Sequence, residues 1–267
     1  MIYMEGDDKN MKTIFFDLDD TLLDVHSKQI DPSSMEILQA LNAKGYRLGI
    51  ASSRPLERIM GIPHINEINW DGYVTTNGVE VYDQNLCHLE DHSFQQEDLD
   101  AIFAFGQKYQ IPIFSVGQIE MLTGINPTVR LFMKKYDVVD YQCKPYEGEK
   151  QKLITYITTD VETVYQKLKE EFPLYHSVKG GPFNIDIFPK GYSKLTGIHT
   201  LMQHWKQPRN DFMAFGDSYS DICTIQAAKI GVAMYHALDP VKAVADYICQ
   251  EDRPDAIAQT IHHFGLL

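Results

Sequence analysis

Positive charge is in short supply in this chain. Its 267 residues set 24 Lys and Arg against 37 Asp and Glu, a formal charge of −13. That balance argues against nonspecific binding to DNA, RNA or an anionic membrane. An anionic substrate would therefore need local compensation, from a metal ion or a few placed Lys and Arg. Cysteine is scarce as well. Cys87, Cys143, Cys223 and Cys249 lie far apart and form no Cys-x-x-Cys pair. This argues against a disulfide framework or a cysteine zinc site, and reads as free thiols in a reducing, cytoplasmic compartment. The ten histidines show no zinc-type spacing. No stretch is long and apolar enough to span a bilayer. Residues 1–10 are acidic and polar, unlike a signal peptide, and read as a tail ahead of a core that starts at Met11.

What the chain does have is a run of apolar segments that stop abruptly in polar groups. The first is Ile14-Phe15-Phe16, a buried strand by pattern, followed by Asp17-Leu18-Asp19-Asp20-Thr21. On extended backbone Asp17 and Asp19 point the same way. Two like charges that close need a cation or a shared proton. A polar loop after a core strand is the plainest interpretation. A calcium loop would want an acidic residue or Asn at 21, Gly at 22 and Glu at 28, where the chain has Thr21, Leu22 and Lys28. A nucleophilic carboxylate with an acid/base partner and bound magnesium is the third possibility.

A helix is expected from Pro32 to Leu41, closed by Gly45, and a second buried strand over Tyr46–Ala51. Strand, helix, strand at this spacing makes a βαβ unit and a parallel sheet. The second strand runs into Ser52-Ser53-Arg54-Pro55, which fits a helix N-cap and an anion site alike. A third strand, from Trp70 to Thr76, ends in Asn77-Gly78. This is a hairpin signal, and it also offers an amide donor to a phosphate. Between about Tyr82 and Ile185 the pattern changes to an α+β block with no catalytic cluster, including a turn at Gly180-Gly181-Pro182 and a strand over Leu174–His176. Lys194 opens a helix after Gly191-Tyr192-Ser193. Asp211 to Phe215 is a strand ending in Gly216-Asp217 and, four residues on, Asp221. It repeats the design of the first strand.

Set side by side on one sheet, these ends gather Asp17, Asp19, Asp217 and Asp221 with Ser52, Lys194, Arg54 and Asn77. Hard oxygen ligands suit Mg2+, which keeps several waters and takes a substrate phosphate oxygen. A lysine and a hydroxyl would offset charge on a transferring phosphoryl group.

The segments Phe16-Asp17-Leu18-Asp19-Asp20-Thr21-Leu22, Ala51-Ser52-Ser53-Arg54-Pro55, Thr76-Asn77-Gly78, Gly191-Tyr192-Ser193-Lys194 and Phe215-Gly216-Asp217-Ser218-Tyr219-Ser220-Asp221-Ile222, in this order, resemble those of the haloacid dehalogenase superfamily of phosphatases. The insertion resembles a type IIB cap, and the nearest group is the Cof-like phosphatases of sugar phosphates and small metabolites. The resemblance implies an α/β fold: a Rossmann-like doubly wound parallel-sheet core (residues 11–82 and 187–267) with an inserted α+β cap domain (83–186). It implies Asp17 as nucleophile, forming an aspartyl-phosphate. Asp19 would be the general acid/base, with its backbone carbonyl on the metal. Asp217 would complete the magnesium site, supported by Asp221. Ser52, Lys194, Arg54 and Asn77 would face the phosphate. The chain departs from the family at Ser53, where Gly is usual, at Ser220, where Asn is usual, and at Tyr235-His236-Ala237, where Gly-Asn-Ala is common.

Three functions follow. The favoured one is a magnesium-dependent phosphatase acting on a small-molecule phosphate ester such as a sugar phosphate, nucleotide or cofactor phosphate. A phosphomutase would use the same residues. A catalytically silent phospho-acceptor or ligand-binding module would keep the acids without turnover.

Overall fold

The four residues of β1 (Thr13–Phe16) are all buried, because the strand is covered on both faces. A computed structural model describes residues 11–24, 27–136, 138–173, 175–251 and 253–267. The expected tail, residues 1–10, lies outside them.

After β1 comes a short antiparallel hairpin, β2 (Leu23–Asp24) with β3 (Gln29–Ile30). Helix α1 (Pro32–Ala43) starts at Asp31, whose carboxylate accepts from the Ser33 amide, and carries Pro at its first position. Strand β4 (Arg47–Ala51), helix α2 (Leu56–Met60), strand β5 (Gly72–Thr75), and strands β6 (Glu80–Asp83) and β7 (His88–Asp91) follow.

An inserted unit spans Asp91–Ser193. It holds α3 (Gln96–Lys108), β8 (Ile113–Gly117), β9 (Met121–Leu122), α4 (Pro127–Tyr136), β10 (Gln142–Cys143), β11 (Gln151–Ile157), α5 (Val161–Glu171), β12 (His176–Gly181) and β13 (Asn184–Phe188). Its six strands run in the order β10-β9-β8-β11-β13-β12. Helices α3 and α5 bury Leu99, Ile102, Phe105, Val164 and Leu168 against Ile154, Tyr156, Ile185 and Ile187.

The chain then completes the core with α6 (Lys194–His204), β14 (Met213–Gly216), α7 (Ile222–Ala227), β15 (Ile230–Ala233), α8 (Asp239–Lys242), β16 (Tyr247–Ile248) and α9 (Ala256–His263). The core sheet is ordered β16-β15-β14-β1-β4-β5-β6-β7, parallel from β16 through β5 and antiparallel at β6. Alternate residues of β1 feed the two faces. Ile14 and Phe16 pack with α1 and α9 through Ile37, Leu41, Ile257 and Ile261. Phe15 packs with Leu201 of α6 and with Trp205 just past its end, and Gly49 leaves it room, since a Cβ there would lie 2.4 Å from the ring. Each fully buried Phe of this kind contributes about 1.5–3 kcal/mol.

Two readings of the insertion differ from the fold. The core unit runs to Glu90 and resumes at Lys194, rather than ending at 82 and resuming at 187. The reason is that β7 still belongs to the core sheet, while residues 187 and 188 still pair with β11 or β12. Gly180 and Gly181 are strand rather than turn, because the β12–β13 ladder continues to Gly181 opposite Asn184. Leu174, where the strand expected over Leu174–His176 would start, lies outside the described residues.

Chain direction sets where chemistry can sit. From β1 the chain moves outward through β4 and β5 on one side, and through β14, β15 and β16 on the other. The order reverses at β1, and a crevice opens at the carboxyl ends of β1, β4 and β14.

Candidate active site

Asp17 follows β1 directly, and its amide donates to the Phe215 carbonyl of β14 at 3.1 Å. Asp217 follows β14, so the two acids sit on adjacent parallel strand ends. Lys194, the first residue of α6, is 3% exposed. Its Nζ donates to Asp17 Oδ1 at 2.6 Å and to Asp221 Oδ1 at 2.7 Å. An ammonium at a helix N-terminus opposes the helix dipole, so these two carboxylates hold it there. Asp221 is anchored in turn. Its Oδ2 accepts from the Ser218 amide at 3.0 Å and from Ser218 Oγ at 2.8 Å. Gly216 makes room for it, since a Cβ there would lie 2.6 Å from the Asp221 side chain. Thr21 Oγ1 donates to Asp217 Oδ1 at 3.0 Å and ties the turn after β1 to the end of β14.

One oxygen each of Asp17, Asp217 and Asp221 lie within 4.8 Å of one another. Burial raises the Asp17 pKa well above the usual carboxylate range. Asp221 and Asp217 push it further, and Lys194 pulls it down without prevailing. Asp217 is pushed up to about 7, by burial first and then by Asp221, against the hydrogen bond from Thr21. Burial works against the charge on Lys194, but its two carboxylate neighbours outweigh that and raise its pKa. The cluster is short of positive charge. Three hard oxygen donors with one lysine among them fit a divalent cation such as Mg2+.

Asp19 is placed differently. Its carboxylate takes a bidentate ion pair from Arg54, with Nε at 2.8 Å from Oδ2 and NH2 at 2.6 Å from Oδ1. Its side chain is not in the carboxylate group that could hold a metal. The Arg54 guanidinium therefore contacts the expected acid/base.

Ser52 and Asn77 are joined through backbone. The Asn77 amide donates to the Ser52 carbonyl at 3.0 Å, and the Thr76 amide to the Arg54 carbonyl at 3.1 Å. Ser52 Oγ accepts from the Arg54 amide. Thr76, Asn77 and Gly78 have φ of 51°, 58° and 92°. A β-branched residue is a rarity at positive φ. Thr76 is held there by Glu80, a buried carboxylate that accepts from Thr76 Oγ1 at 2.7 Å and from the Tyr82 hydroxyl at 2.9 Å. Asn77 is 1% exposed, and neither its Oδ1 nor its Nδ2 has a hydrogen-bond partner among the described residues. A buried amide without partners is costly unless a ligand engages it.

Sequence reasoning did not assign roles to Thr21, Ser218, Thr76 or Glu80. Thr21 was visible as the last residue of Asp-x-Asp-x-Thr, and Ser218 as the residue after Gly216-Asp217. Glu80 carries no local signal. Of the departures, Ser53 needs no glycine, since it does not take positive φ. Ser220 Oγ lies 3.0 Å from Ser218 Oγ.

Fold and site together define an α/β enzyme with acids, a hydroxyl and an amide at the strand ends of one sheet and a lysine reaching them from the start of α6. The chain belongs to the haloacid dehalogenase-like hydrolases, whose family model matches residues 14–261. YkrA of Bacillus subtilis is 26% identical over 260 residues, covering 96% of this chain and 98% of the relative. The 5-amino-6-(5-phospho-D-ribitylamino)uracil phosphatase YcsE of the same organism is 23% identical over 264 residues, covering 98% and 99%. Among solved structures, the HAD subclass IIB sugar phosphatase BT4131 superposes with a TM-score of 0.86 at 29% identity, covering 96% of this chain and all of that one.

Proposed function

We propose that this chain is a magnesium-dependent phosphatase that hydrolyses a small phosphorylated metabolite through an aspartyl-phosphate on Asp17. The observation that carries the reading is the cluster of Asp17 and Asp221, both buried and both bonded to Lys194, with half-buried Asp217 beside them. Asp17 and Asp217 would hold the cation, together with the Asp19 carbonyl that the family resemblance assigns. The cation would neutralise the carboxylates and the charge that develops on phosphate.

Asp17 attacks phosphorus, and the bond to the ester oxygen breaks. Lys194 steadies the nucleophile from Oδ1. Protonated Asp19 gives its proton to the leaving oxygen, then takes one from the water that attacks the aspartyl-phosphate. That second attack frees inorganic phosphate and restores Asp17. The Arg54–Asp19 pair is a resting arrangement in this scheme. A bound phosphate offers Arg54 a second anion and lets Asp19 turn to the ester oxygen. Asn77 gains the partner it lacks.

Two relatives act on phosphorylated sugars or a phosphorylated ribityl compound, as their names state. Those names favour a phosphorylated sugar or sugar-derived metabolite here. The test is phosphate release from a panel of sugar phosphates, nucleotides and cofactor phosphates, with Mg2+ and with EDTA, alongside Asp17→Asn. Release that needs Mg2+ and vanishes in the variant is expected. Full turnover by Asp17→Asn would sink the mechanism.

A further inference from the structure

His236 stands in the Tyr235-His236-Ala237 stretch, and it is exposed. Its Nε2 lies 2.6 Å from the backbone carbonyl oxygen of Asp20. A carbonyl oxygen only accepts, so Nε2 carries the proton and donates. The neutral Nε2–H tautomer and the imidazolium both supply that donor.

The two ends of this contact matter. Asp20 follows Asp19 and has φ of 60°, a left-handed conformation that a residue with a Cβ disfavours. The turn around it is closed by Thr21 N to Leu18 O at 3.1 Å, Leu23 N to Leu18 O at 2.8 Å, and Asp20 N to Leu23 O at 3.0 Å. Those bonds shape the turn without fixing it to a neighbouring strand. At the other end, His236 sits on a loop suspended from β14. The Met234 amide donates to the Gly216 carbonyl and the Leu238 amide to the Asp217 carbonyl, each at 3.0 Å. The loop therefore moves with the Asp217 strand end, and His236 reaches from it across 216 residues of sequence to the Asp19 turn.

We propose that His236 is a positioning residue: it clamps the Asp20 carbonyl so that the turn bearing Asp19 keeps a fixed place relative to Asp217. It acts in concert with Thr21, whose hydroxyl ties the same turn to the Asp217 carboxylate. The inference rests on the phosphatase reading. It assigns to His236 the registration of the two halves of the metal site, with no contact to substrate.

The test compares wild type, His236→Ala and His236→Gln, the second because a glutamine amide can reach the position of Nε2. Magnesium binding is measured by calorimetry without substrate, and kcat and KM are measured separately. His236→Ala is expected to bind Mg2+ about tenfold more weakly and to lose a similar factor in kcat, as partners of metal-ligand groups do, with KM within about twofold. Its melting temperature stays within about 2 °C, since the side chain is on the surface. His236→Gln recovers most of both losses. Wild-type magnesium affinity and kcat in His236→Ala would overturn the proposal, as would a His236→Gln variant as impaired as alanine. A wild-type protein that neither binds Mg2+ nor releases phosphate would instead overturn the phosphatase reading, and the proposal with it.

Discussion

Replacing Lys194 by methionine keeps the apolar stem and removes the ammonium that, among the described residues, pairs with Asp17 and Asp221. Lys194 is 3% exposed and holds Asp17 at 2.6 Å and Asp221 at 2.7 Å. Removing one partner of a buried ion pair typically costs about 3–5 kcal/mol, because the remaining charge is stranded. For a chain of this size, 1 kcal/mol corresponds to roughly 2–4 °C, so the metal-free variant should melt about 6–20 °C lower at pH 8. The pH dependence has a definite sign. Burial and the neighbouring acids already raise Asp17, and Lys194 is the group that lowers it. Without the lysine it rises further. A carboxylate whose folded-state pKa is raised loses stability as pH climbs from its unfolded pKa to its folded one. The deficit should therefore shrink toward pH 5, where the cluster takes up protons, and shrink at pH 8 when Mg2+ supplies the charge. Trp70 and Trp205 are both buried in the core unit, so intrinsic fluorescence during thermal unfolding reports the relevant part of the molecule. A Lys194→Met protein that melts within about 2 °C of wild type in EDTA at pH 8 would refute this reasoning.

Other outcomes follow from the same geometry. Asn77→Gly suits the positive φ and removes a side-chain amide that has no hydrogen-bond partner among the described residues, so stability should change by under about 1 kcal/mol. A lost hydrogen bond to a charged ligand is worth about 1.5–3 kcal/mol, so inhibition by inorganic phosphate should weaken by about tenfold or more. Unchanged phosphate inhibition would remove Asn77 from the site. For wild type in EDTA, Asp217 titrates at about 7 in the fold against 3.8 as a free side chain. The folded state therefore holds a proton that the unfolded chain releases in that window, and stability should fall as pH rises through it. Excess Mg2+ should flatten the slope in melting temperature against pH, and equal slopes with and without the metal would contradict a cation at Asp217.

The strand ends were legible because each apolar run stops at a polar group, and a parallel sheet lines up its carboxyl ends. Asp17 and Asp217 come together for that reason, while Lys194 reaches them from the start of α6 and Asp221 from the turn after β14. The hairpin at Asn77-Gly78 was legible from its turn residues, and β5 and β6 do pair antiparallel there. The limits of the insertion were not, because β7 and β13 read as similar strands and only their partners differ. Pairings between distant loops were hidden as well. Arg54 meets Asp19 across 35 residues, Thr21 meets Asp217 across 196, and His236 meets Asp20 across 216. Each depends on the path of a loop, which no local pattern encodes. Arg54 and His236 stood out in sequence, one as an expected phosphate contact and the other as a departure, but their partners became visible only in three dimensions.

The central claim is that Asp17 carries the phosphoryl group. Borohydride added during turnover of the best substrate from the panel reduces an acyl phosphate to an alcohol, and peptide mass spectrometry then locates the altered residue. The account predicts homoserine at position 17, formed only when Mg2+ and substrate are both present. Steady turnover with position 17 unaltered, or reduction at another acid, would contradict it.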